Sequence, residues 1–165
     1  MYIPMLISGL AVDPATNSPI IILKEIDGKQ ILPIWIGLLE ATAIASELEG
    51  FKFSRPMTHD LFKNIIEMVD IKVLRIEVCD LKENTYYALI HFKQGEKEMS
   101  IDARPSDAIA LSLRVNVPIL VSRKVIENSI QIDLKAEPQD KTESGKKWQE
   151  ILENLNPEDF GKYKM

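Results

Sequence analysis

One cysteine, Cys79, stands in 165 residues. That excludes a disulfide framework and a cysteine-rich zinc module. Histidine is nearly as scarce, with His59 and His91 alone, and no Cys/His set has zinc-ligand spacing. No run approaches the roughly 18 apolar residues of a membrane span. The apolar start, Met1–Val12, has no basic flank and runs into a turn, so no signal peptide is expected there. The glycine–lysine phosphate loop, the GxSxG elbow and a basic tract with interleaved aromatics are all missing. Positive charge is not in excess either. The formal net charge is −5, which removes the argument for wrapping nucleic acid by the overall field. It leaves open a compact site built on carboxylates. Cys79 ends the apolar run Val73–Cys79 and reads as a small core residue in a reducing compartment, so the cytoplasm is the expected location.

What the chain does have is one pattern written twice. Residues 13–45 lie over residues 80–112 at an offset of 67 without a gap, with six identities in 33 positions. Asp13, Asn17, Gly28, Ile34, Ala41 and Ala43 meet Asp80, Asn84, Gly95, Ile101, Ala108 and Ala110, and Glu40 meets Asp107. The turn glycines and helix alanines fall in step together, as an internal repeat requires.

The first unit reads as three strands and a helix. Strands are expected over Ile3–Val12, Pro19–Leu23 and Gln30–Ile36, with a hairpin turn at Asp27-Gly28 and an edge, bulge or strand end at Pro33. Leu38, Ala41, Ala45 and Leu48, with Ile44 beside them, give a helix over Leu38–Leu48 that Gly50 ends. A bridging helix follows over residues 58–70, with Thr58 as N-cap and Leu61, Ile65, Ile66 and Val69 as its buried side. The second unit repeats the order: Val73–Cys79, Thr85–Phe92, Lys97–Asp102, then a helix opened by Pro105 and Ser106. In Lys97–Asp102, Met99 and Ile101 alternate against Glu98, Ser100 and Asp102. A short strand, Val117–Val121, and a helical turn over Ser122–Asn128 close it. The expected fold is α+β: duplicated β-β-β-α units, about 1–50 and 71–116 within a domain at 1–132, with a mixed or antiparallel sheet packed against helices. Residues 133–146 read as a flexible linker, and 147–165 as a tail with one short amphipathic helix bearing Trp148, Ile151, Leu152 and Leu155.

Chemistry-bearing residues gather at the two strand-to-helix junctions. The second junction, Asp102-Ala103-Arg104-Pro105-Ser106-Asp107, holds two carboxylates and an arginine; the first offers Glu40. Asp102 at a strand end and Asp107 at a helix start could face one cleft and, with Asp60, hold Mg²⁺ or Mn²⁺ through oxygen ligands. Equally, Asp107 could only cap its helix and Arg104 only pin the junction. The segment Arg55-Pro56-Met57-Thr58-His59-Asp60 sets His59 at a helix N-terminus as an acid or base, with Arg55 able to hold a phosphate. Against that stands plain capping by Thr58 and Asp60, with His59 a surface neighbour. His91, inside a strand, reads as structural. Glu49 at a helix C-terminus opposes the dipole, which a partner such as Arg55 or a metal would offset, but it reads more cheaply as a solvent-facing group.

Asn17-Ser18-Pro19, Leu32-Pro33-Ile34-Trp35-Ile36-Gly37, Glu40-Ala41, Arg55–Asp60 and Asp102–Leu111 resemble the bifunctional nuclease domain family over about residues 1–130. The resemblance implies a small α+β domain, homo-oligomers, and DNase and RNase activity. The family's motif positions that could carry chemistry are Glu40, Arg55, His59, Asp60, Asp102, Arg104 and Asp107. Two functions are therefore expected in competition. One is a metal-assisted nuclease on DNA or RNA, with Asp102, Asp107 and Asp60 on the metal, Arg104 and Arg55 on the phosphate, His59 as base or acid, and Glu40 as a further catalytic residue completing the site. The other is a non-enzymatic oligomeric module binding a protein or a small anion. Open sheet edges and the apolar tail favour a homodimer.

Overall fold

The computed structural model describes residues 1–28 and 30–129. The expected linker at 133–146 and the tail at 147–165 lie outside the described residues. The elements run β1 (Tyr2–Val12), β2 (Pro19–Glu25), β3 (Ile31–Trp35), α1 (Leu38–Leu48), α2 (Thr58–Met68), β4 (Lys72–Lys82), β5 (Thr85–Gln94), β6 (Lys97–Ala103), α3 (Pro105–Val115), β7 (Ile119–Ser122) and α4 (Arg123–Asn128).

The strands form a single mixed sheet in the order β3-β2-β1-β7-β4-β5-β6. Two antiparallel meanders, β1-β2-β3 and β4-β5-β6, are joined by β7, which runs antiparallel to β1 and parallel to β4. The order β-β-β-α thus occurs twice, with α2 between. At the offset of 67, α1 falls on α3 residue for residue. Asn17 and Asn84 both adopt φ +59, and Gly28 and Gly95 are both left-handed at +76 and +58. The register is not kept throughout, because β1 and β4 lie 70 residues apart.

Local chemistry explains the ends of the elements. Gly50, at φ +68, follows α1; its N–H reaches Glu47 O at 3.2 Å, and the Phe51 N–H reaches Ser46 O at 2.8 Å. These bonds satisfy carbonyls that the helix end leaves open. Pro105 starts α3 at a position that needs no donor, and Asn116, left-handed at φ +55, stops it. Pro33 sits at the centre of β3, which is an edge strand, so its missing N–H breaks no ladder.

One face of the sheet is covered by helices. Alternate residues of the strands, Ile21, Leu23, Ile76, Val78, Ala88 and Ile90, meet Ile44 of α1 and Ile109 and Leu111 of α3 in the core. α3 lies at the centre, packed on α1, α2, β4 and β5, and seven of its residues are buried. Truncating Ile109 to alanine would cost about 2–5 kcal/mol.

Several expectations change. Met57, not Thr58, is the N-cap of α2, and the Asp60 carboxylate accepts the Met57 N–H at 3.0 Å. Phe62 and Ile66 turn inward on α2, whereas Leu61, Ile65 and Val69 are exposed. Leu38 and Leu48 at the ends of α1 are exposed as well. β4 is an interior strand with Ile76, Glu77 and Val78 buried. Arg75 and Glu77 alternate with core Ile76 and Val78 and so belong to the other sheet face, where buried Glu77 meets Arg75 at 2.7 Å and His91 at 3.1 Å. Cys79 is only half-buried; its thiol donates to Tyr87 O at 3.5 Å, and burial pushes its pKa up, away from thiolate chemistry.

Candidate functional site

Three helices begin around one guanidinium. Arg104 is the N-cap residue of α3. Its Nε and Nη2 donate to the two oxygens of Asp107 at 2.7 and 3.1 Å, and its Nη1 donates to Glu40 Oε1 at 2.7 Å. His59 Nε2 stands 3.0 Å from Asp107 Oδ1. Glu40, Asp60 and Asp107 are each the third residue of their helix, at α1, α2 and α3, where the partial positive charge of the helix end favours a carboxylate. Capping and site chemistry are therefore the same residues seen twice.

The electrostatics follow from these contacts. Burial by itself would raise the Asp107 carboxyl; the hydrogen bonds from Arg104 and His59 outweigh it and hold the group below the ordinary range. The Asp107 and Glu40 carboxylates push the Arg104 guanidinium still higher. A carboxylate only accepts, so His59 Nε2 must carry the proton it shares with Asp107. The His59 side chain is 17% exposed and that of Arg104 63%, so the arginine meets solvent while the imidazole is sheltered.

Asp60 is drawn elsewhere. Arg114 of α3, whose side chain is 4% exposed, donates from Nε to Asp60 Oδ1 at 2.7 Å. Its other nitrogens donate to Ala110 O at 2.8 Å and Ala43 O at 3.0 Å, so it ties α1, α2 and α3 together. Burial would raise the Asp60 carboxyl, but Arg114 and the Met57 N–H bring it below the usual value. Sequence reasoning missed Arg114. The signal was there: a lone arginine in a helix otherwise made of Ala, Ile, Leu, Ser and Val after its first turn.

Asp102 does not join the cluster. It pairs with Leu89, which pairs with Glu77, so all three share the sheet face opposite the helices. Met99 and Ala103, to either side, pack on the core. Asp102 and Asp107 thus lie on different faces, not in one cleft. Arg55 is exposed in the loop before α2 and lines a cavity of about 330 Å³ with Phe51, Lys52, Phe53 and Arg114 among others. Glu49 is exposed at the end of α1.

A divalent ion needs several oxygen atoms aimed at one point. Here both oxygens of Asp107 accept from cationic or ring nitrogens, both oxygens of Asp60 are bonded to Arg114 and Met57, and Asp102 lies across the sheet. Among the described residues no group of three or more His, Cys, Asp or Glu could hold a metal ion. The set Asp102, Asp107 and Asp60 does not fit Mg²⁺ or Mn²⁺.

Fold and site together define a small α+β domain whose polar centre is an arginine clasped by two helix-start acids beside an aspartate-oriented histidine. The bifunctional nuclease domain model matches residues 21–133, and the chain belongs to that family. It is 36% identical over 157 residues to an uncharacterized protein of Mycobacterium tuberculosis, covering 92% of this chain and 94% of that one. It is 29% identical over 113 residues to bifunctional nuclease 1 of Oryza sativa subsp. indica, and 29% over 107 residues to bifunctional nuclease 2 of Arabidopsis thaliana. Those matches cover 66% and 62% of this chain but only 34% and 32% of the plant proteins. Among the described residues, no helix is long and apolar enough to cross a membrane.

Proposed function

We propose that this chain hydrolyses phosphodiester bonds in DNA or RNA at the centre formed by Glu40, Arg104, Asp107 and His59. The observation that carries the reading is the 3.0 Å contact from His59 Nε2 to an aspartate that also grips Arg104. The family's name and the plant relatives' names point to the same chemistry.

With Nε2 turned to Asp107, neutral His59 keeps the Nδ1 lone pair for a proton. It takes that proton from an attacking water as the new P–O bond forms and the ester P–O bond breaks, and the proton then passes to the leaving oxygen. The imidazolium formed on the way keeps its hydrogen bond from Nε2 to Asp107 Oδ1. Arg104 uses three of its five N–H groups on the two carboxylates. The remaining two have no acceptor among the described residues and would hold a non-bridging phosphate oxygen. The test is cleavage of DNA and RNA oligonucleotides by protein purified free of other nucleases. His59→Gln should lower kcat by about 10²–10⁴-fold; equal rates for the two proteins would overturn the reading.

The alternative, a non-enzymatic oligomeric module, draws on the outer side of α2. Leu61, Ile65 and Met68 form a stripe there, 53%, 49% and 83% exposed, with Val69 beside them. The sheet edges are blunted by Pro33 in β3 and by Lys97 and Glu98 in β6. Our reading accordingly sets a second copy of this chain on α2 in a homodimer of two 18.7 kDa subunits. Sedimentation equilibrium at micromolar concentration checks it, and a monomer there rejects it. A reducing cytoplasm accords with the free thiol of Cys79.

A further inference from the structure

α2 is apolar on two sides, and only one of them is covered. Phe62 and Ile66 face the sheet; the Phe62 and Phe92 rings meet edge to face at 6.5 Å, and Gln94 of β5 donates to Val69 O at 2.9 Å. α2 thus lies over β5. His59 and Asp60 face α3, through Asp107 at 3.0 Å and Arg114 at 2.7 Å. α3 packs on β4 and β5, so it stands on the β4 side of α2, and β6 runs on the other side. Successive residues of a helix turn by about 100°. Leu61, Ile65 and Met68 therefore point away from α3, toward the β6 edge.

The floor on that side is open as well. Ile101 pairs with Ile90 and Met99 with Phe92, so both belong to the helix-covered face of β6. Met99 packs on the core, whereas Ile101 stays 46% exposed. Ile101 as floor and the exposed Leu61, Ile65 and Met68 as wall make an apolar groove along the edge of the helix layer. A groove of this kind takes an amphipathic helix with anchors at i, i+3, i+4 and i+7. Trp148, Ile151, Leu152 and Leu155 have that spacing, and they lie outside the described residues. So short a helix is not stable alone and needs a seat. Residues 130–147 separate it from Ser129, the C-cap of α4, and can span up to about 60 Å. That reach extends to an adjoining copy.

We infer that residues 148–155 of one copy lie as a helix in this groove of its partner, and that the exchange is reciprocal about a two-fold axis. The inference rests on the homodimer reading and names the segment that the second copy places on α2. Trp148, Ile151, Leu152 and Leu155 then cover the α2 stripe and Ile101 together. Ile65 is at the middle of the wall and Leu152 near the middle of the segment, so the two meet whichever way the segment runs.

Disulfide trapping in the full chain tests it, with Cys79→Ser throughout so that introduced thiols stand alone. A chain carrying both Ile65→Cys and Leu152→Cys is oxidised and run on a non-reducing gel beside each single-cysteine chain. Melting curves establish that every variant is folded. The double variant should link into a species of twice the subunit mass, and neither single variant should. Replacing Ile65→Cys by Lys24→Cys, on the sheet face opposite the groove, should abolish the link. Sedimentation equilibrium on Leu152→Asp should show the dimer Kd raised by about tenfold or more, the scale of losing one buried leucine anchor. A link formed within one chain, seen as a faster-running monomer, would give the groove to the chain's own segment and overturn the inference. Native dimer affinity in Leu152→Asp would overturn it too. A native chain that sediments as a dimer, with a double variant that does not link between chains, would overturn it and leave the homodimer standing. A native chain that sediments as a monomer would end both.

Discussion

Glu40 and Asp107, 67 residues apart and each third in its helix, grip the same guanidinium from α1 and α3. The arginine between them comes from one helix start only. At the same offset, Arg104 stands where the first unit has Gly37, and both are N-cap residues. A Cβ at position 37 would collide with the Glu40 carboxylate. One junction gives the cation and the other gives the room for its second acid.

Gly37→Ala should therefore push the Glu40 carboxylate off Arg104 with little change in fold, because the atom that must yield is the end of a flexible side chain. We expect a melting temperature within a few degrees of native and cleavage reduced by about tenfold, as for a residue acting through another. Calorimetry and steady-state kinetics check the two halves.

Arg104→Ala leaves Glu40 and Asp107 without their shared cation. The side chain is mostly exposed, so its ion pairs should contribute no more than about 1 kcal/mol to stability. Activity should fall by about 10²-fold or more, and Arg104→Lys should recover little, since an ammonium cannot make the forked contact. Urea unfolding alongside cleavage separates these effects.

Much of this was legible in the sequence. α1 has the bounds its apolar spacing predicts, because Gly37 and Gly50 punctuate it. Pro105 announced α3. Glu40, Arg104, Asp107 and His59 were all named, since helix-start acids and a lone helix-start histidine are local signals. Asp102 was misplaced against its own pattern: its alternation with Met99 and Ile101 already assigned it to the polar face of β6. The exposed stripe on α2 was misread because that helix is apolar on two sides, and the sequence alone does not say which one meets the sheet. Arg114 depends on carbonyls from two helices and an acid 54 residues away, a relationship that only the assembled fold creates.

Arg114→Met should destabilise the domain by about 3 kcal/mol, since it takes the cation away from Asp60, which keeps the Met57 N–H, and removes the side-chain hydrogen bonds to Ala43 O and Ala110 O. Denaturant unfolding gives the number. A loss below about 0.5 kcal/mol, the scale of a neutral surface change, would contradict the role assigned to it.

Acid should unfold this domain through three carboxylates. Asp60, Asp107 and Glu77 are all held below their ordinary values of 3.8, 3.8 and 4.5, despite burial acting the other way. A depressed folded-state pKa means stability that is full above the ordinary value and lost as pH falls through the folded one. The unfolding free energy should be flat from neutrality to near pH 5 and drop below about pH 4. Asp60→Asn should make that drop shallower in urea melts recorded across the range.

Glu77→Ala strikes the other face of the sheet. It leaves Arg75 and His91 without their carboxylate and should cost about 3–5 kcal/mol. Cleavage per folded molecule should not change, because among the described residues no hydrogen bond or ion pair links this trio to Arg104 or His59.

The central claim is that chemistry sits among the helix starts and not at Asp102. The direct measurement is kcat/KM for oligonucleotide cleavage by the native chain, His59→Gln and Asp102→Asn in parallel. The account predicts a loss of at least about 10²-fold for His59→Gln and a rate within about twofold of native for Asp102→Asn. Native activity in His59→Gln, or its loss in Asp102→Asn with the fold intact, would contradict it.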